Sequence, residues 1–254
     1  MLLSWFGSKT QQKLQTVVDS QNTRIVEQQQ QRPTLLGVLR KQVASLNFWL
    51  HLTSRSLLMV FVSFLLFVPT YMKHAYAMTS STAAQVGSVF ALGCLASVTV
   101  GSKPYSTYTT KQRTALIFTL LTCATLISLA QLAHVSGTIT ISPIMGTLSM
   151  FLWGFMASLP FYIPPSLYAL EQGGSVSSAT IADFFDIGGF LVLALFNGHV
   201  AGIRHSILSQ WKGTFVFTTT CSAIALCSLT LATVLDGGWK GTKRDDTSES
   251  SFEQ

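Results

Sequence analysis

Three long stretches of the chain carry no Lys, Arg, Asp or Glu: residues 56–71, 114–131 and 214–235. Each is long enough, or nearly so, to cross a hydrocarbon core about 30 Å thick. A helix in water needs a polar face, and these segments have none. Extending the same reading along the chain predicts six hydrophobic helices, at 48–72, 82–100, 114–131, 141–163, 176–197 and 214–235. The connectors are short, roughly nine to sixteen residues. Turn and cap residues punctuate them: Ser80-Ser81, Gly101 with Pro104, and Gly173-Gly174. Pro160, Pro164 and Pro165 are expected to mark the end of the fourth helix. Prolines there are tolerated where neighbouring helices or water satisfy the freed carbonyls.

The flanks differ from this core. Residues 1–33 read as a polar, partly disordered arm with a glutamine run at Gln28–Gln31, closed by Pro33. Over 34–47, Leu35, Leu36, Leu39, Val43 and Leu46 recur near helical spacing, with Arg40 and Lys41 between them. That pattern predicts an amphipathic helix on the membrane surface, and a soluble linker helix fits it too. Residues 237–254 form a polar tail. The start lacks a basic region followed by a long apolar run and a cleavage site, so no secretory signal is expected. Residues 1–7 instead read as the tail of a preceding helix, which favours an incomplete chain.

Composition agrees with the pattern. Charged residues are 10% and hydrophobic residues 48% of the chain, against about 25% charged in a soluble protein. The net charge of +6 comes from scattered basic residues without a nucleic-acid motif, so no nucleic-acid partner is expected. Topology accounts for it better. With both termini cytoplasmic, twelve of the 16 Lys and Arg residues fall inside and only Lys73, Arg204 and Lys212 outside; Arg55 lies within the first helix. Cys94, Cys123, Cys221 and Cys227 sit in or beside apolar segments without metal spacing and read as small packing residues.

Several short stretches, in order, resemble helices seven to twelve of the major facilitator superfamily, closest to its organophosphate:phosphate antiporters, the glycerol-3-phosphate transporter group. Val68-Pro69-Thr70-Tyr71-Met72 resembles the end of that group's seventh helix. Gly154-Phe155 with Pro160, then Leu167-Tyr168-Ala169-Leu170-Glu171, resembles its tenth. Ser177-Ser178-Ala179-Thr180 with Gly188-Gly189 resembles its eleventh, and Trp211-Lys212-Gly213-Thr214-Phe215 the start of its twelfth. The likeness covers about 34–236. It implies an all-α polytopic membrane protein whose six transmembrane helices form one half of a major-facilitator fold. Its partners would be the bilayer and a second half or second copy, and its task transport of a small polar or anionic solute. Two positions depart from the group. Phe61 falls where its seventh helix carries a phosphate-binding arginine, and Tyr105 where the loop motif shared with Gly101, Lys111 and Arg113 carries an acid. Those departures suit a rival expectation, a non-transporting scaffold or accessory subunit derived from a transporter half.

Ionisable groups within apolar helices mark candidate chemistry, because each costs several kcal/mol unless paired or hydrated. They are Arg55, Asp183 and Asp186. The two aspartates are three residues apart, so they share a helix face with Ala179, Ala182 and Gly189 nearby. Either they form a proton- or cation-coupling site, or they are hydrated near the interface. Arg55 either pairs or snorkels to the surface. Arg55 and Asp183 each lie about seven residues into a helix entering from the same side, so an Arg55–Asp183 ion pair is expected, leaving Asp186 for reversible protonation. Asn197 and His199 are expected to cap the fifth helix, His51 and His74 to lie at the interface, and Trp49, Trp211 and Trp239 to form aromatic belts. Trp153 reads as a packing residue. No catalytic, metal or phosphate-loop constellation appears, so neither an enzyme nor a cofactor is expected.

Overall fold

In the computed structural model the described residues are 40, 42–202 and 207–240, with the side chains of 175–176, 199–202, 207–210 and 236–240 left undescribed. The chain divides into two units, 1–41 and 42–254. Of the first, Arg40 alone is described, helical and exposed. The polar arm, most of the expected interfacial helix and the tail beyond 240 therefore lie outside the described residues.

The second unit is all-helical where described, and six of its helices are long and apolar enough to cross a membrane. It is a polytopic, multi-pass membrane protein. The first span, Leu46–Leu66, consists of α1 (Leu46–Ser63) and a 3-10 turn (Phe64–Leu66). A short α2 (Val68–Ala75) follows, and then α3 (Ser80–Thr107) and α4 (Thr110–Val135). A helical run, Pro143–Gly202, is broken at Gly174, where φ is 56°. We divide it into α5 (Pro143–Gly174) and α6 (Ser177–Gly198). The last helix, α7, is Ile207–Lys240. The bundle thus has a terminal end, where α1 and α6 begin and α5 ends, and an opposite end.

Several expected boundaries need correction, each for a local reason. The single helix expected over 48–72 is split, because Pro69 stands at the start of α2 and its ring and missing N–H interrupt the ladder. Gly101 and Pro104 lie inside α3 rather than in a turn, and the helix ends at Thr107. The three prolines of α5 do not end it. The helix runs past them to Gly174, a residue whose missing side chain permits positive φ. Asn197 is exposed within a helical run continuing to Gly202, so it is not a cap, and the side chain of His199 lies outside the described residues. Real caps fix α3 and α4. Thr79 Oγ1 accepts from the Thr82 N–H at 3.3 Å, and the Thr109 N–H donates to Gln112 Oε1 at 2.9 Å.

α1 sits at the centre of the unit, packed on α7 and on the Pro143–Gly202 run; α3 packs on that run, and α4 on α7. Glycines set the closest crossing. A Cβ on Gly93 of α3 would lie 2.2 Å from the Phe151 carbonyl oxygen, and one on Gly154 of α5 would lie 2.6 Å from that of Phe90. Only glycine lets the two backbones meet this closely. α4 and α7 are joined instead by hydroxyls, Thr125 to Ser222 and Ser128 to Thr218 and Thr219. The centre is filled by rings. Phe61 and Phe64 meet Trp153 with centroids 5.2 and 4.7 Å apart, and Tyr71 meets Trp211 and Phe215 at 5.1 and 4.9 Å. Trp211 is therefore buried core, not part of an interfacial belt.

Candidate functional site

The charged centre of the bundle is built on α1, α5 and α6. Arg55 lies midway along α1, and its side chain reaches the neighbouring α5 and α6. Its Nη1 donates to the backbone carbonyl of Phe161 at 2.7 Å, and its Nη2 donates to Asp186 Oδ1 at 2.9 Å. The guanidinium also lies over the Phe161 ring, 3.6 Å from its centre, with Tyr162 at 5.5 Å.

The carbonyl of Phe161 is open for a sequence reason. In a helix it would accept from the N–H four residues on, and that residue is Pro165, which has none. Arg55 donates to the acceptor that the proline leaves open. A guanidinium in an apolar span thus gains a fixed carbonyl, an aromatic face and a carboxylate, the combination that offsets its desolvation. The proline tolerance expected from the sequence is supplied here by a side chain of the neighbouring helix.

The expected partner was the wrong aspartate. Arg55 pairs with Asp186, whereas Asp183 is exposed and makes no ion pair among the described residues. Helix starts explain the error. α1 begins at Leu46 and α6 at Ser177, so Arg55 and Asp186 each lie nine residues in, at the same depth of roughly 13 Å. Small residues let the helices approach there: Gly188 faces Leu52 and Ser56, and Gly189 faces Met59. The pair is not sealed. The Arg55 side chain is 15% exposed and that of Asp186 44%.

Other polar groups cluster at the two ends. At the terminal end, Tyr168 donates its hydroxyl to Gln42 Oε1 at 2.8 Å, and Gln42 Nε2 donates to Gln172 at 3.3 Å. His51 is buried and stacks on Tyr168, 4.6 Å between centres, rather than facing the interface. At the opposite end, Tyr71 and Tyr76 both donate to Gln131 Oε1, at 2.6 and 2.8 Å, while Gln131 Nε2 donates to Ser149. His74 is exposed and accepts from Trp211 Nε1 at 3.3 Å. In the α3–α4 connection the Arg113 guanidinium sits 5.3 Å from the Tyr105 ring and donates to the Ser106 carbonyl. Tyr105 there offers the cation its π face.

Sequence reading named Arg55, Asp183 and Asp186 but missed Phe161 and Tyr162 as their surroundings. The signal was present: a proline four residues after a residue marks its carbonyl as an acceptor in search of a donor. Among the described residues no three His, Cys, Asp or Glu side chains converge to hold a metal, and all four cysteines are free. Neither protein-family models, curated proteins nor solved structures match this chain.

Proposed function

We propose that the chain is one half of a major-facilitator-type transporter, moving a small polar or anionic solute across a membrane together with a second half or a second copy. Both termini and the Gly101–Arg113 connection then face the cytoplasm, following the excess of Lys and Arg there. The observation that carries the reading is the Arg55–Asp186 pair. A charge pair held about two and a half turns into apolar helices, and left partly open, is costly to keep unless it handles charge. The resemblance in the order and spacing of short stretches across the six spans supports the same reading. Reconstituting the purified full chain in liposomes and recording solute-driven currents or uptake over a panel of small anions tests it. Flux that Arg55→Ala abolishes is expected; tight, inert proteoliposomes across the whole panel would overturn it.

A second reading, a non-transporting scaffold derived from such a half, is favoured by the centre of the bundle. Phe61 stands at the position of the group's arginine and is fully buried against Trp153.

A further inference from the structure

We propose that the Arg55–Asp186 pair is a binding site for a small monocarboxylate taken up with one proton, and that Asp186 is the internal carboxylate occupying the site between turnovers. The inference rests on the transporter reading for its physiological sense, but its chemistry stands on the geometry of three contacts.

Two of those contacts do not involve Asp186. Arg55 Nη1 is held by the Phe161 carbonyl, which Pro165 prevents the helix from reclaiming, and the guanidinium lies flat over the Phe161 ring. Removing Asp186 therefore leaves the cation in place and oriented. That is the preorganisation a binding site needs. The third contact is the exchangeable one. Nη2 meets a carboxylate that is 44% exposed, on the more open side of the pair. A second carboxylate arriving there replaces like with like and leaves Nη2 satisfied.

Charge then decides what comes with it. The ionisable groups near the pair are Asp183, one turn before Asp186 on α6, and Tyr162 of α5, its ring centre 5.5 Å from the Arg55 guanidinium; His51, one turn before Arg55 on α1, stacks on Tyr168. One guanidinium already stands among two carboxylates. A dianion would add two more negative charges, so a singly charged carboxylate is the anion that fits. Even that anion leaves Asp186 displaced and facing a like charge in a poor dielectric, which favours its protonation. The exchange balances as follows: the ion pair, one carboxylate anion and one proton give an Arg55–carboxylate pair and a neutral Asp186 carboxyl. Net charge is unchanged, so the loaded site is no costlier to move through the bilayer than the empty one.

Acetate and benzoate are the probes, added to the purified full chain in weakly buffered detergent solution. Benzoate binding is measured by equilibrium dialysis and proton uptake with an indicator dye. One proton is expected per benzoate bound, so the affinity should fall as pH rises. Asp186→Asn, a neutral isostere, is expected to bind benzoate without proton uptake and independently of pH, while Arg55→Lys should bind at least tenfold more weakly. If the asparagine variant does not fold, the proton count on the wild-type chain decides alone. Binding without proton uptake, binding unaffected by Asp186→Asn, or no binding of either probe would overturn the proposal. Binding in detergent needs no flux. Proton-linked binding with inert liposomes would overturn only the transporter reading, and flux without proton-linked binding only this one.

Discussion

Arg55 meets two acceptors on different helices with two separate nitrogens, a spread that the single Nζ of a lysine does not match. Arg55→Lys is expected to cost about 1–2 kcal/mol through one lost charge-assisted hydrogen bond. Arg55→Ala should cost more, roughly 2–3 kcal/mol, discounted from the value for a sealed pair because Asp186 is partly exposed. The cause can be separated by compensation. Pro165→Ala restores an N–H to the Phe161 carbonyl, so it should recover part of the Arg55→Ala loss, and Asp186→Asn should recover another part. Thermal unfolding in detergent measures all four variants. If Pro165→Ala only adds its own cost to that of Arg55→Ala, the carbonyl contact contributes nothing. A second residue-level expectation concerns Tyr76. Burial raises its phenol above the ordinary value, while its bonds to Tyr71 and Gln131 lower it. The fold therefore favours the neutral phenol. Its contribution is complete below the unfolded value of about 10 and lost as pH rises through the folded one. Stability should fall in alkali, with a shallower fall in Tyr76→Phe; identical alkaline profiles would rule this role out.

Helices in a bilayer gain little from burying apolar surface against each other, so close backbone contact matters more. The α3–α5 crossing depends on Gly93 and Gly154, each with a carbonyl oxygen of the other helix where a Cβ would stand. A backbone atom cannot swing aside as a side-chain tip can. Gly93→Ala and Gly154→Ala should therefore push the helices apart and cost more than 2 kcal/mol each. Gly198 is the control, since a Cβ there meets nothing within 4 Å; Gly198→Ala should be neutral or gain up to about 1 kcal/mol. Equal effects at all three positions would refute the crossing argument. The existence of the six spans was legible in the sequence because continuous apolarity is a local property. What was not legible depended on a neighbour. Pro165 looks like a helix end until Arg55, 106 positions before Phe161, is seen to cover the open Phe161 carbonyl. The choice between Asp183 and Asp186 turned on helix starts that differ from those expected by two residues at α1 and by one, in the opposite direction, at α6, a relative shift of three residues. Trp211 looked interfacial because sequence shows its place near a helix end but not that Tyr71 and Phe64 close over it.

At the scale of the whole molecule, the 28 residues of α3 span roughly 42 Å, so its ends must lie on opposite sides of a bilayer. Single cysteines at Ser80 and Ser106, in a background without the four native ones, should react oppositely with an impermeant thiol reagent, Ser106 from the cytoplasmic side. Equal labelling from one side would remove the six-span arrangement. The remaining question is what α6 faces. It is the least buried span, 22% of its apolar window against 50% for α5. Asp183, Ile187, Leu191 and Leu195 form an exposed stripe at four-residue spacing, with Phe184 beside it. Lipid suits the aliphatic residues of that stripe but not a carboxylate about 9 Å along the helix, where an unpaired charge costs several kcal/mol. In the proposed transporter half, a second half or a second copy packed there would relieve that cost by supplying a donor or a hydrated cleft. The purified chain should accordingly run as a dimer or larger complex in mild detergent, measured by sedimentation or native mass. Asp183→Leu, which makes the stripe fully lipid-compatible, should shift it toward monomer. A wild-type chain that stays monomeric at every concentration would mean that α6 faces lipid and that Asp183 is hydrated through a local thinning of the bilayer.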